Sequence, residues 1–214
     1  MPALENSFAA LQRFVHPKRA VEVCELCTRA LGPGHTHLLE LGRYTLVCSC
    51  EACALLFSSR QHARYKRVPH RIRLLGDFRM SDTEWQNLLI PINMAFFFEN
   101  SLRSSVTVLY PSPAGATESL LSREAWTDIA GRNPVLNEME PDVEALLVNR
   151  VERARPAGGG EYYLLPIDEC FRLVGLIRRN WRGLSGGTEV WQDIAKFFAQ
   201  LKARATLLPP ERYA

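Results

Sequence analysis

The sequence predicts an α+β protein: an N-terminal zinc-ribbon-like β module with the pattern CxxC…CxCxxC, followed by an antiparallel sheet with helices packed on one face. Three observations carry this. Two CxxC pairs, Cys24/Cys27 in "CELC" and Cys50/Cys53 in "CEAC", bracket two strand-like runs. Two later pairs of β-rich runs are each joined through a polar stretch, the hairpin pattern. The last third carries helical periodicity, with Val190, Trp191, Ile194, Phe197, Phe198 and Leu201 recurring along one face.

Taken in order, residues 1–20 read as a short amphipathic helix. Ser7 is its N-cap, Phe8, Leu11, Phe14 and Val15 form its apolar face, and Pro17 stops it. This stretch lacks the basic start, apolar core and cleavage site of an export signal, and no apolar run approaches the ~18 residues of a membrane span. The expectation is a cytosolic protein. In that reducing compartment, clustered cysteines point to metal rather than disulfides.

Residues 21–57 form the metal module. "HLLEL" and "RYTLVC" are its strands, turned through Gly42. Residues 58–80 are a basic linker with seven Lys/Arg and one Asp, of which "RVPHRIRLL" can also pair as a strand. Residues 81–214 make the α+β domain. "SDTEWQNLLI" carries a capping box, Ser81 with Glu84, and buries Trp85, Leu88 and Leu89. "INMAFFFEN" and "SSVTVLYPSP" form a hairpin, and "YPSPAGATES" a polar loop. "SREAWTDIAGRNP" is a helix from Ser122 to a Gly131 cap. "VEALLVNRVE" and "EYYLLPI" form a second hairpin around "RARPAGGG", with a helix through "VEALL" as the alternative. "DECFRLVGLIRRNW" is a buried helix capped by Asp168, and "TEVWQDIAKFFAQLKARA" is the clearest helix in the chain.

A CxxC turn aims two thiolates at one point, and two such turns make a tetrahedral four-sulfur site, as in zinc ribbons and one-iron centres. Twenty-two residues separate Cys27 from Cys50, the room a hairpin needs. Cys24, Cys27, Cys50 and Cys53 are therefore the expected metal ligands. Cys48 is a substitute for Cys50, a free thiol beside the site, or a further ligand of a cluster with more than one iron. His35 and His37 in "GPGHTH" alternate as on a strand; either can supply a ligand, and a surface hairpin is the plainer reading. Zinc is favoured over iron because neither pair carries the Pro and Gly common around one-iron centres. Four thiolates close the coordination shell, which makes the metal structural. Cys170 reads as a core residue.

Nothing assembles into a catalytic set. All five histidines fall within the first 70 residues, and no HExxH or HxE…CxxC motif occurs. "GLSGG" before the last helix is a weak anion-site signal, since it lacks the phosphate-loop lysine and does not follow a strand. Charge is split: residues 1–80 hold 12 Lys/Arg and 6 Asp/Glu, and residues 81–214 hold 14 and 17. Arg64, Lys66, Arg67 and Arg71 are the expected electropositive surface for an acidic partner. Nucleic acid is the less favoured such partner, because no helix-turn-helix or RNA-binding signature accompanies the basic run.

The strings "CELC…HLLEL…LVCSCEACALLF", "LYPSPAGATESLL", "EPDVEALLVNRV", "YYLLPIDECFRLVGLIR" and "WRGLSGGTEVW" resemble an uncharacterised bacterial family associated with the gene clusters of uptake [NiFe] hydrogenases. The resemblance spans residues 21–205. It implies an accessory or maturation role, with a hydrogenase subunit or maturation factor as protein partner, and it transfers no catalytic residues. The sequence thus leads to a metal-stabilised interaction or assembly protein, more readily a non-enzyme than an enzyme. A rubredoxin-like iron electron carrier and a zinc-ribbon nucleic-acid binder are the alternatives.

Overall fold

A computed structural model describes residues 21–59, 64–151, 160–183 and 185–208. The expected N-terminal helix, Arg60 of the basic run and the tip of the second hairpin lie outside them.

The chain forms two sheets. A three-stranded antiparallel sheet has the order β2-β1-β3, built from β1 (Thr36–Glu40), β2 (Thr45–Ser49) and β3 (Tyr65–Arg67). An unexpected helix, α1 (Glu51–Ser58), follows β2 directly. The seven-stranded sheet has the order β10-β4-β9-β8-β5-β6-β7. Its strands are β4 (Arg73–Leu75), β5 (Met94–Asn100), β6 (Ser105–Ser112), β7 (Gly115–Ser119), β8 (Glu144–Asn149), β9 (Glu161–Pro166) and β10 (Thr206–Leu208). All neighbours are antiparallel except β10 and β4.

The central strands are buried on both faces, which explains why "MAFFFEN" and "EALLVN" read as unbroken apolar runs rather than alternating ones. Met94, Phe96 and Phe98 face one core with Leu147, Tyr163 and Leu165; Ala95 and Phe97 face the other with Leu146, Val148 and Leu164. The two long helices, α4 (Ile167–Asn180) and α5 (Gly187–Arg204), pack on the first face as the sequence predicts. Val190, Ile194, Phe197, Phe198 and Leu201 of α5 are all buried there, and Cys170 of α4 is fully buried among them. The second face is covered by two shorter helices, α2 (Asp82–Asn87) and α3 (Arg123–Arg132), and a 3-10 turn at Pro134–Glu138.

Both forecast hairpins form, β5–β6 and β8–β9, and "VEALL" is strand rather than helix. The capping box forms as read: Ser81 Oγ accepts from the Glu84 amide and the Glu84 carboxylate accepts from the Ser81 amide. Such a cap contributes about 1 kcal/mol. Buried Arg150 secures the same turn, donating to the Ser81 carbonyl and to the Asp82 carboxylate while its guanidinium lies 5.7 Å from the Trp85 ring centre.

Several local details differ from expectation. Leu89 is exposed, not buried, because the chain leaves α2 through a left-handed residue there (φ 52°). Helix α3 runs through Gly131 and ends at Asn133, whose amide side chain donates to the Ile129 and Arg79 carbonyls. The polar loop "YPSPAGATES" folds back as β7 on β6 through a turn that needs Gly115 at φ 125°. Asp168 does not cap α4: Pro166 holds that position, and Asp168 Oδ2 instead accepts from His37 Nδ1 at 2.8 Å. In the stretch expected to link the halves, β3 pairs with β1 and β4 pairs with β9 and β10, with Val68 and Ile72 buried between them.

The small sheet is seated on the large core. Leu39 belongs to the core under α4 and α5, whereas its neighbour Leu38 packs with Val47 and Ala54 inside the small sheet. Asp142 is the polar centre of the seat. It is fully buried, sits at φ 70°, and accepts from Tyr44 Oη (2.7 Å), Lys66 Nζ (2.7 Å) and the Ser101 amide (2.9 Å). Burial opposes its charge, yet these donors, Lys66 foremost, hold its carboxyl below the usual carboxylate range.

Asp142→Asn keeps the shape and tolerates positive φ; losing the charge against half-buried Lys66, with one accepting oxygen replaced by a donating amide, should cost about 1–3 kcal/mol at neutral pH. A depressed folded pKa means that wild-type stability from Asp142 is fully present above the unfolded value of about 3.9 and is lost as pH falls through the lower folded value. Denaturant unfolding of both proteins should therefore show a gap that is constant near neutrality and narrows below about pH 4. A gap unchanged down to strongly acid pH would remove the charge from the account.

Candidate metal centre

The four cysteines singled out by spacing come together in space. The sulfurs of Cys24, Cys27, Cys50 and Cys53 all lie within 4.8 Å of one another, and Cys27 Sγ is 3.7 Å from Cys50 Sγ. A tetrahedral ion with metal–sulfur bonds of about 2.3 Å requires sulfurs about 3.8 Å apart, so the spacing suits one such ion. Cys24, Cys50 and Cys53 are buried and Cys27 is exposed.

Two kinds of local structure deliver the sulfurs. Cys24 and Cys27 sit on a tight knuckle in which the Thr28 amide donates to the Cys24 carbonyl (2.7 Å) and the Cys24 amide to the Arg29 carbonyl (2.8 Å). Thr28 takes φ 60° to close it, a conformation that costs a β-branched residue about 1–3 kcal/mol. The knuckle is laced to β2: the Glu25 amide donates to the Cys48 carbonyl (2.9 Å), and the Cys48 amide donates to Glu25 Oε1 (2.7 Å). The second pair is different. Cys50 is the N-cap of α1 and Cys53 lies in its first turn, so spacing of three residues becomes one helical turn. Where the sequence suggested a second turn against a strand, the chain places a helix N-terminus. Unpaired amides and the helix dipole favour anionic sulfur there.

The thiols do not ionise alike. Burial raises Cys24, but the amides of Cys50 and Leu26 and the neighbouring Cys27 thiol outweigh it and bring its pKa well below the ordinary thiol value. The Cys53 amide likewise lowers Cys50. Burial and the other sulfurs push Cys53 up. Without a cation, ionising one sulfur opposes ionising the next.

Cys48 stands apart from these four. It is half-buried and groups instead with His35 and His37. The cations expected on a partner-binding surface are each engaged by a carboxylate of this chain. Arg64 donates twice to Glu40 Oε1 (2.9 and 2.6 Å), Arg67 forks onto Glu51 (2.7 and 2.8 Å) and Arg71 onto Glu144 (2.6 and 2.8 Å). Lys66 binds Asp142 and the Pro141 carbonyl (3.1 Å). Arginine pairs of this two-pronged geometry are the stronger ion-pair class. "GLSGG" is explained by packing: at Gly186 (φ 86°) a Cβ would stand 2.8 Å from Val190 Cγ1 and 3.0 Å from the Trp181 ring. Cys170 is held far above ordinary thiol pKa by burial, with the charges of Asp168 and Glu169 adding to the shift. A cleft of about 480 Å³ beside α3 is lined by Glu99, Ser104, Ser122, Arg123, Trp126 and Asn137 among others.

Metal removal should act unevenly. Stripping the protein with a strong chelator, or Cys53→Ser, should collapse amide-exchange protection in β1, β2 and α1 by orders of magnitude while β5, β8 and β9 keep theirs. Hydrogen-exchange mass spectrometry reads both regions at once. Equal loss in both, or none in either, would mean the sulfur cluster does not organise the small sheet.

Among the described residues no helix is long and apolar enough to cross a membrane. Comparison with curated proteins and with solved structures gives no significant match. Residues 23–205, from the residue before Cys24 to the residue after α5, match the Family of unknown function (DUF5947), and with most of its length covered the chain belongs to that family.

Proposed function

We propose that the protein is a metal-stabilised interaction or assembly factor of the cytosol, not an enzyme, with one zinc held by Cys24, Cys27, Cys50 and Cys53. The observation that carries this is the closed set of four sulfurs within 4.8 Å. Four thiolates leave no position at which a zinc ion binds substrate or water, so its work there is to hold the knuckle, β2 and α1 together. The helix this metal anchors presents Leu55 and Leu56 to solvent, with 57% and 61% of their surface accessible, and Phe57 partly so. Exposed apolar residues on a helix tied to a metal knuckle suit a protein partner. The resemblance to hydrogenase-associated proteins nominates that partner: a [NiFe] hydrogenase subunit or a maturation factor. Pairing of Arg64, Lys66, Arg67 and Arg71 with carboxylates leaves little free charge for phosphate, which weighs against nucleic acid.

Two measurements on protein purified anaerobically from a hydrogenase-producing host test this. Elemental analysis and a visible spectrum should show zinc resistant to dialysis and no colour; a red, dithionite-bleached iron centre would make the protein an electron carrier instead. Affinity capture should co-purify a hydrogenase subunit or maturation protein, and Leu55→Ser with Leu56→Ser should cut that recovery at least tenfold without releasing the zinc. Recovery that survives these substitutions would remove α1 as the docking face. Absence of any such protein in the wild-type capture would remove the hydrogenase assignment.

A further inference from the structure

A second group of donors lies outside the four-sulfur cluster. One ring nitrogen each from His35 and His37, and the Cys48 sulfur, lie within 4.8 Å of one another. The fold assembles them simply. His37 and Cys48 are direct partners across β1 and β2, so their side chains share a face, and His35 precedes His37 by two residues on the same side. The two rings meet edge to face with centroids 4.8 Å apart.

Each ring is already oriented for ligation. His37 Nδ1 lies 2.8 Å from Asp168 Oδ2, and His35 Nδ1 lies 3.1 Å from the Gly32 carbonyl and 3.5 Å from Glu22 Oε2. Carboxylate and carbonyl oxygens accept only, so both Nδ1 atoms carry the hydrogen and, in the neutral rings, both Nε2 atoms carry the lone pair. A carboxylate or carbonyl behind the ring is the usual support of a metal-bound histidine. The decisive atom is His35 Nε2. The side chain is 91% buried (9% accessible), and Nε2 has no hydrogen-bond partner. A buried acceptor left unpaired costs about 1–3 kcal/mol, and a bound cation removes that cost.

We propose that His35, His37 and Cys48 form a second metal site, selective for zinc(II) or a similar borderline divalent ion, with Asp168 as its supporting carboxylate. Two imidazoles and one thiolate are the donor chemistry of such ions and not of calcium or magnesium. Three protein ligands leave a coordination position open to solvent or an external donor, unlike the closed four-sulfur site. Small ring and thiol rotations, of about 1 Å at the donor atoms, bring the set to bonding distance. Occupancy is weaker and more exchangeable than at the four cysteines. This site goes beyond the assembly role and does not depend on it.

The test uses the full-length protein, dialysed against a mild chelator so that only tightly held metal remains, then titrated with cobalt(II) alone. The wild type should take up one further equivalent per chain, with a near-ultraviolet thiolate-to-cobalt band and visible ligand-field bands. His35→Ala, His35→Gln and Cys48→Ser should each abolish that equivalent while retaining the tight metal, which reports that the fold is intact. Asp168→Asn should weaken it 10–100-fold. No added cobalt in the wild type would overturn the proposal. So would uptake undiminished in the His35 and Cys48 variants, which would mark exchange into the four-cysteine site. Iron rather than zinc at that tight site would refute the proposed assembly role yet leave the cobalt readout of this one intact.

Discussion

Four cysteine sulfurs within 4.8 Å of one another are the constraint on which the N-terminal part of this structure rests. Thiolates so close repel, and thiols so buried forgo better solvation; a single dication resolves both. Among the described residues the apolar packing of this region is slight. Its own apolar clusters are Cys24, Cys50 and Cys53 on one side and Leu38, Val47 and Ala54 on the other, with a few partly buried neighbours. Clusters of that size do not offset the entropy of ordering a knuckle, a hairpin and an eight-residue helix. The strained Thr28 turn and the amides at the start of α1 suit the support of anionic sulfur.

The remaining support comes from the seat on the large sheet, where electrostatics and burial act together. Leu39 enters the main core on one face of β1 while Leu38 fills the small cluster on the other. Around it run the bonds His37 to Asp168, Tyr44 and Lys66 to Asp142, and Arg71 to Glu144. Each joins a residue in the first 80 to one beyond 140, so Lys66 and Arg71 answer acidic residues of the other half while Arg64 and Arg67 pair within their own. Asp142 and Glu144 are fully buried, and truncating one partner of such a pair leaves an uncompensated charge inside. These contacts fix the register of the small sheet on the large one.

That pattern also explains what the sequence disclosed. Signals carried within a few residues were readable: the CxxC spacings, the Ser81–Glu84 cap, the two hairpins, and the period of α5. Helix α1 hid because eight residues of "EACALLFS" give little periodicity and a CxxC pair suits a turn as well as a helix start. Strand β10 hid because it pairs in parallel with β4, more than a hundred residues away. Partners were least legible of all. The basic run was visible, but the carboxylates that answer Lys66 and Arg71 lie 76 and 73 positions downstream, and that of His37 lies 131 away. A side chain that looks like a helix cap, Asp168, is drawn off by a histidine that only the fold brings near.

His37 joins the small sheet both to α4 and to the histidine–cysteine set. The Nδ1 side of its ring is bound to α4 through Asp168, and a ring nitrogen lies within 4.8 Å of donor atoms of His35 and Cys48. Cys48 in turn is bound through its backbone to Glu25 in the knuckle, two residues before Cys50. An ion on the His37 ring polarises its N–H and strengthens the bond to Asp168, as metal-bound imidazoles do. Whatever fraction of its binding energy depends on that bond also tightens the seat of the small sheet, and a firmer seat binds the ion better in equal measure. On the proposals above, a metal at the four cysteines would hold the small sheet together, and an ion on the histidine–cysteine set would be linked to the docking of that sheet.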